Sequence, residues 1–101
     1  MARGRANTPA KTGDAMHTET DRKLRRILTD VLGLKHGQAD HFNADTGLFG
    51  HLPELDSMAV AGLLTEMEDR LDIVIEDDEV DGELLETYGA LLAFAELKRA
   101  A

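Results

Sequence analysis

The chain has 101 residues, 20 of them acidic and 11 basic, which gives a formal net charge of −9, and it contains no cysteine. A folded part of this size buries one thin core, which holds a small bundle but leaves no room for a deep catalytic cavity. The absence of cysteine excludes a disulfide frame, a thiolate zinc site and a native thiol nucleophile, and no apolar stretch approaches the roughly 20 residues of a membrane span.

The charge is unevenly distributed along the chain. Residues 1–18 carry a net charge of +2, whereas residues 19–101 carry eight basic and nineteen acidic side chains, a net charge of −11. Such a surface repels nucleic acid and anionic lipid and favours basic patches on protein partners. The basic start is followed by no apolar run and does not resemble a secretory signal. We therefore expect a cytoplasmic protein with protein partners.

The first predicted element is a tail. Residues 1–18 are rich in Gly, Ala, Thr and charge, which predicts a flexible N-terminal tail and assigns the folded domain to 19–101. A first helix is predicted from about Thr20 to Gly33, with Thr18 or Thr20 as its N-cap and Gly33 just past its end. Its buried stripe at helical spacing is Leu24, Ile27, Leu28 and Val31.

A long connection separates the first two helices. Residues 34–56 form this loop, and unstructured loops of such length in compact domains are usually functional. Leu48 and Phe49 are its apolar pair, and we expect both to pin the loop onto the core. The second helix is predicted from about Ser57 to Leu71. Its inward face is predicted to be Val60, Leu63, Leu64, Met67 and Leu71.

Two shorter elements precede the last helix. Residues 73–75 are an apolar stretch without a pairing partner, which predicts a plug into the bundle. Asp81 or Gly82 is predicted to open a one-turn helix through residues 84–85, and Thr87 to cap the last helix. The inward residues of that helix are predicted to be Tyr88, Leu91, Leu92 and Ala95. The predicted fold is all-α: a small up-down bundle of three main helices plus one short helix.

Ser57 is the only serine in the chain and follows Asp56 at the predicted start of the second helix. An Asp-Ser pair before an apolar run often supplies a helix N-cap, so the pair alone favours capping. A serine hydrolase is disfavoured because its nucleophile elbow needs Gly two residues on either side of the serine. Leu55 and Ala59 occupy those positions.

The wider sequence context of Ser57 favours a different role from helix capping. From about Asp21 to Lys98 the chain resembles the acyl carrier proteins. The shared features are the long loop, the Leu-Asp-Ser-Met helix start, an acidic run at residues 76–79, and a short helix before a Thr-capped last helix. The resemblance implies that Ser57 carries 4'-phosphopantetheine, which a phosphopantetheinyl transferase attaches from coenzyme A. It also implies that Asp56 orients the metal and coenzyme A in the complex with this transferase. By the same resemblance, the arm carries an acyl group as a thioester, and the protein itself is not an enzyme.

The resemblance also implies a partner surface on the second helix. Its predicted members are Met58, Ala59, Gly62, Glu66, Glu68 and Asp69. Many relatives carry Asp or Glu where Ala59 and Gly62 stand, so we expect a smoother, more apolar surface near the arm. Gly62 within a helix costs about 1 kcal/mol relative to Ala, which indicates close packing or close approach by a partner.

The subfamily is indicated by residues 48–58, which look like the stand-alone carriers associated with exosortase and exopolysaccharide systems. Fatty-acid carriers more often show Gly-Ala, and peptidyl carriers Gly-Gly, where Glu54 and Leu55 stand here. We therefore expect a monomeric carrier in a specialised pathway, loaded by an acyl-activating ligase or acyltransferase. The alternative is an acidic interaction module that has the carrier fold but never takes the arm.

Other clusters of charged residues favour plainer interpretations. Residues 77–82 resemble the start of a calcium loop, but Tyr88 stands where the pattern needs Glu, so no specific metal site is predicted. The histidines show no ligand spacing on a helix. A basic cluster on the first helix is expected to be a solvated face, with intramolecular pairing to the acidic run as the alternative. Its members are Arg22, Lys23, Arg25 and Arg26.

Overall fold

Three α-helices account for most of the chain that the computed structural model describes, residues 18–100. They are α1 (Glu19–Leu32), α2 (Ser57–Leu71) and α3 (Tyr88–Ala100). Single 3₁₀ turns lie at Gln38–His41 and Asp77–Glu79, and residues 18–100 contain no β-strand. The all-α prediction is confirmed. The predicted tail, apart from Thr18, lies outside the described residues.

The ends of α1 are set by local chemistry. Thr18 Oγ1 accepts the backbone N–H of Asp21 at 3.2 Å and caps the helix. Gly33 adopts a left-handed conformation with φ 65°, and the N–H of Leu34 then reaches back to the carbonyl of Thr29 at 3.1 Å. A left-handed residue at this position favours glycine because glycine has no Cβ to clash. The predicted cap and stop of α1 are therefore confirmed.

The helices form an up-down-down arrangement. Arg70 near the end of α2 lies beside Arg22 and Arg26 of α1, while Gly62, earlier in α2, faces Val31 near the end of α1, so α1 and α2 are antiparallel. Arg99 in the last turn of α3 pairs with Glu19 at the start of α1. Both later helices therefore run opposite to α1. The core between them is built by side chains that are almost fully buried: Leu24, Ile27, Leu28, Leu48, Leu63, Met67, Tyr88, Leu91 and Ala95.

The predicted one-turn helix through residues 84–85 is not formed. Residues 82–86 are consecutive turns, in which Asp81 Oδ1 accepts the N–H of Leu84 at 2.9 Å. The carbonyls of Leu85 and Glu86 accept the N–H groups of Phe49 and Leu48, each at 2.9 Å. These carbonyls bind the long loop, so they are not available to a helix that continues past residue 86.

Two predictions about apolar loop residues are only half correct. Leu48 is fully buried, but 46% of Phe49 is exposed. Ile73 is buried, whereas 65% of Val74 is exposed, so the stretch 73–75 places one side chain in the core and the next in solvent. Neighbouring side chains in an extended chain point in opposite directions, which prevents both members of such a pair from reaching one core.

The long loop is held against α3 by backbone contacts. The N–H of Tyr88 donates to the carbonyl of Thr46 at 2.8 Å, and that of Gly89 donates to the carbonyl of Ala44 at 3.0 Å. A Cβ at position 89 would lie 2.8 Å from that carbonyl oxygen, so only glycine permits this approach. These contacts fix the position of the loop, and with it the position at which α2 begins.

A buried polar network joins α1, the long loop and α3. Asp21 is 1% exposed, and its Oδ1 accepts the hydroxyl of Tyr88 at 2.6 Å. Arg25 Nε donates to both carboxylate oxygens, at 3.0 and 3.1 Å, and its Nη1 donates to the carbonyls of Ala39 and Phe42. Burial, together with the bond to Asp21, raises the pKa of Tyr88 well above its ordinary value.

Candidate functional site

Asp56, and not Ser57, caps the start of α2. The backbone of Asp56 is extended, with φ −101°, and its Oδ1 accepts the N–H of Ala59 at 2.8 Å. Its carbonyl accepts the N–H of Val60 at 3.0 Å. Ser57 is then the first residue of the helix and is exposed. Within residues 18–100 no hydrogen bond engages its hydroxyl, so Asp56 alone supplies the capping that the Asp-Ser pair favoured.

The surroundings of the Ser57 hydroxyl suit an anion. The capping bonds leave the N–H groups of Ser57 and Met58 facing solvent, since the first N–H groups of a helix have no partner within it. The first turn of α2 contains no acidic side chain. The positive end of the helix dipole adds a favourable field for negative charge. The donor set and the open position therefore fit a phosphodiester on the serine oxygen.

Two shallow depressions flank Ser57. One, of about 490 Å³, is lined by the loop residues 49–53 together with 55–57. The other, of about 220 Å³, is mainly apolar, with Phe49, Val60 and Leu85 in its wall and residues 81–82 beside them. The exposed ring of Phe49 contributes to both.

Phe49 is a site residue that the sequence interpretation missed, because it assigned both members of the apolar pair to the core. The alternation of side chains along an extended segment could have identified it. If Leu48 points into the core, the next residue points away from it. Phe49 therefore presents its ring to solvent beside Ser57.

The six predicted partner-surface residues do not all face solvent. Met58 is 84% exposed, and Gly62 and Asp69 are also exposed, whereas Ala59 and Glu66 are half-buried. Glu68 is half-buried as well, and its Oε2 accepts the N–H of Ile75 at 2.9 Å. The carboxylate of Glu68 thus holds the segment after α2 in place.

The region around Gly62 is a shallow groove between α1 and α2. Its lining residues are Asp30, Val31, Ala61, Gly62, Thr65 and Glu66. A Cβ at position 62 would meet only Val31 Cγ1, at 3.8 Å, which is an ordinary contact. Packing against α1 therefore does not require the glycine. Ala61 and Thr65 are exposed on this face, and their spacing from Met58 could have identified them.

Comparison with known proteins identifies the family. Residues 22–95 match the family described as "Phosphopantetheine attachment site", which covers most of the chain. The chain belongs to this family. None of the functionally curated proteins matches it. Among solved structures, the solution NMR structure of a holo acyl carrier protein from Nitrosomonas europaea is similar, with 37% identity and a TM-score of 0.75. The match covers 83% of this chain and 100% of that one.

The family and the fold match confirm that this is an acyl-carrier-like protein, and not an enzyme. Proteins of this kind hold 4'-phosphopantetheine covalently and work with phosphopantetheinyl transferases and acyl-handling enzymes. The predicted fold class and prosthetic group are confirmed on the same grounds.

The described part of the chain, residues 18–100, offers neither a membrane-spanning helix nor a cluster of metal ligands. No helix in this part of the chain is long and apolar enough to cross a membrane. No group of three or more His, Asp or Glu side chains there is arranged to hold a metal ion. His36, His41 and His51 are all exposed.

Proposed function

We propose that this carrier bears an acyl group as a thioester on a 4'-phosphopantetheine arm attached to Ser57, and delivers it to partner enzymes. The observation that supports the proposal is the exposed Ser57 hydroxyl, which is unbonded within residues 18–100 at a helix start capped by its neighbour. Because Asp56 supplies the cap, modification of Ser57 removes no bond that stabilises the helix.

Each residue at the helix start has a separate role in the proposal. Ser57 Oγ supplies the ester oxygen, and the free N–H groups of Ser57 and Met58 stabilise the negative charge beside it. The Oδ2 oxygen of Asp56 accepts no hydrogen bond within residues 18–100 and is accessible to the metal and coenzyme A in a transferase complex. The bound arm would supply the thiol that this cysteine-free chain lacks.

For partner recognition, we infer a surface centred on Met58, the most exposed apolar side chain beside Ser57. Ala59 and Gly62 make the adjoining surface smooth, and Glu66 and Asp69 add negative charge further along α2. Glu68 acts on this surface through its bond to Ile75, which holds the following segment. The weak acidic character near Ser57 favours dedicated partners over those of housekeeping fatty-acid synthesis.

The setting that we propose is a specialised pathway in the cytoplasm, in which the carrier acts as a monomer. Residues 48–58 support this assignment, since Glu54 and Leu55 stand before Asp56 where fatty-acid carriers more often show Gly-Ala. A dedicated acyl-activating ligase or acyltransferase would load the arm. The acyl group would enter lipid, polyketide or related metabolism.

Intact mass spectrometry tests the attachment residue. The protein is incubated with coenzyme A and a broad-specificity phosphopantetheinyl transferase, beside the variants Ser57→Ala and Thr65→Ala. Thr65 is a matched control because it is another exposed hydroxyl on α2. We expect the wild type and Thr65→Ala to gain one phosphopantetheine group, and Ser57→Ala to gain none. An unmodified wild type would favour the acidic interaction module, and a modified Ser57→Ala would exclude Ser57 as the attachment residue.

A further inference from the structure

Positive charge is concentrated on one face of this acidic protein. Residues 19–101 contain eight basic side chains, and four of them lie within residues 22–26 of α1. Arg25 is engaged in the buried network with Asp21. Arg22 and Arg26 are exposed and Lys23 is half-buried. Arg70 of α2 lies beside these three side chains and shares a depression of about 260 Å³ with them.

A second and larger depression adjoins the same arginines. It has a volume of about 560 Å³ and is open to solvent. Its lining residues are Arg22, Arg25, Arg26, Thr29, Asp30, His36, Gly37 and Asp40. Arg22 and Arg26 border both depressions, so they form a cationic ridge between two concave surfaces. We call the surface formed by Arg22, Lys23, Arg26, His36 and Arg70 the basic face.

The positive charge of the basic face is only partly compensated. Lys23 pairs with Glu19 at 4.0 Å, a separation at which an exposed pair contributes little. Arg70 is satisfied by Asp30 at 3.0 Å and lies 3.7 Å from Glu66. Arg26 makes no hydrogen bond or ion pair within residues 18–100. At least one fully charged guanidinium therefore has no counterpart in the folded domain.

The acidic run of the chain does not neutralise the basic face. Glu79, in that run, pairs with Lys98 of α3 at 2.9 Å, and the run makes no ion pair with α1 among the described residues. Intramolecular pairing between the two regions, the alternative in the sequence interpretation, is therefore not observed. Within the basic face, the guanidinium of Arg26 therefore stays available to another molecule.

We propose that the basic face docks an acidic segment of a partner protein. At physiological ionic strength the Debye length is about 8 Å, so a local cluster acts on a bound segment independently of acidic residues farther away. A long polyanion such as nucleic acid would extend onto the acidic remainder of the surface and be repelled. A short acidic peptide segment can meet cations alone at the smaller depression, whose lining is Arg22, Lys23, Arg26 and Arg70, whereas Asp30 and Asp40 border the larger one.

The position of the basic face permits docking while the carrier is at work. Arg70 lies 13 residues after Ser57 on the same helix, which corresponds to about 20 Å along the axis. A partner bound at the basic face leaves the start of α2 free for the enzymes that modify and load the carrier. The basic face would therefore tether the carrier to an acidic scaffold.

NMR titration of the ¹⁵N-labelled full chain with a tetra-glutamate peptide, which is short enough to stay on the basic face, tests this proposal. We expect saturable shifts confined to the backbone amides of Arg22, Lys23, Arg26, Thr29 and His36. Arg26→Gln should weaken binding by about threefold, the size expected for one exposed ion pair. Lys35→Gln is the matched control because it removes one positive charge at an exposed residue that lines neither depression. It should change the affinity by less than half as much.

Several results would overturn the proposal. They are an absence of saturable shifts, shifts centred elsewhere, or an equal loss of affinity in both variants. Binding of an oligothymidylate to the same amides more tightly than the peptide would assign the face to nucleic acid. Sedimentation that shows a dimer at low salt, abolished by Arg26→Gln, would identify the occupant as a second copy. Arg26 is exposed and unpaired within the described domain, so we expect Arg26→Gln to retain the helical circular dichroism of the wild type.

Discussion

At the start of α2, two adjacent side chains have separate tasks. Asp56 ends the extended loop and accepts the N–H of Ala59, while the Ser57 hydroxyl is left free. If Ser57 were the cap, attachment of a group to its oxygen would compete with the first turn of the helix. The geometry removes this conflict, because the carboxylate stabilises the helix and the hydroxyl is available for chemistry.

Two substitutions at Asp56 separate its roles. Asn caps helices about as well as Asp, whereas Ala does not, so only Asp56→Ala should lose about 1 kcal/mol of unfolding free energy. Both variants remove the charge that would orient the metal and coenzyme A. We expect both to be modified at least about tenfold more slowly, the loss for about 1.4 kcal/mol of transition-state stabilisation. Urea unfolding and timed mass spectra measure the two effects. Unchanged modification of Asp56→Asn would contradict the proposed role.

Between elements, Tyr88 makes the contact on which the position of the long loop depends. Its hydroxyl reaches Asp21 of α1, its backbone N–H binds Thr46, and its ring lies 4.7 Å from the guanidinium carbon of Arg25. Arg25 in turn holds the carbonyls of Ala39 and Phe42. One network therefore fixes α1, the loop and α3 against one another.

Removal of the Tyr88 hydroxyl should weaken this junction. We expect Tyr88→Phe to lose roughly 1.5–3 kcal/mol of unfolding free energy, as for hydrogen bonds to charged groups. The melting temperature should fall by about 4–8 °C for each kcal/mol. Urea and thermal unfolding followed by circular dichroism measure both quantities. A loss below about 0.5 kcal/mol would show that the bond to Asp21 contributes little.

The contribution of the Tyr88 hydroxyl to the unfolding free energy should depend on pH. Burial raises the pKa of Tyr88 in the folded state above the value of about 10 in the unfolded chain. The stability that depends on the neutral hydroxyl is complete below pH of about 10 and is lost as the pH rises above it. The difference in stability between wild type and Tyr88→Phe should therefore shrink from about pH 8 to about pH 11. A difference that stays constant over this range would contradict the shift.

For the whole molecule, crowded negative charge opposes folding. Residues 76–86 contain seven carboxylates, and one of them, Glu79, is paired with Lys98. The N–H of Glu76 and the ammonium of Lys98 lower the pKa of Glu79, so this carboxylate stabilises the fold above its unfolded pKa and loses that effect on acidification. The other six carboxylates of residues 76–86 have no ion pair within residues 18–100 and repel one another.

Screening of this repulsion should stabilise the protein. A change in ionic strength from about 0.01 M to about 1 M shortens the Debye length from about 30 Å to about 3 Å. We expect the melting temperature to rise by about 2–4 °C, which corresponds to roughly 0.5 kcal/mol, and millimolar magnesium to act in the same direction. In Asp78→Asn, which removes one exposed charge from the run, the rise should be smaller. Melting that is indifferent to both salts would show that repulsion does not limit stability.

The sequence alone determined the features that depend on neighbouring residues. Thr18 and Thr87 cap their helices and Gly33 ends α1, because capping involves groups within four residues of each other. The apolar stripes follow from helical period for the same reason. The site was predictable to this extent: Ser57 and Asp56 stand at a helix start after a long loop, and the surrounding pattern indicated the family.

Only the tertiary structure decided which groups meet across the chain. The turns at residues 82–86 are held to the distant loop through two carbonyls, and Phe49 is exposed because Leu48 takes the place in the core. The pairing of Tyr88 with Asp21 joins residues 67 positions apart. Such contacts depend on how three helices pack, and neither local propensity nor periodicity records that packing. The free hydroxyl of Ser57 and the unpaired guanidinium of Arg26 are likewise features that only the tertiary structure decided.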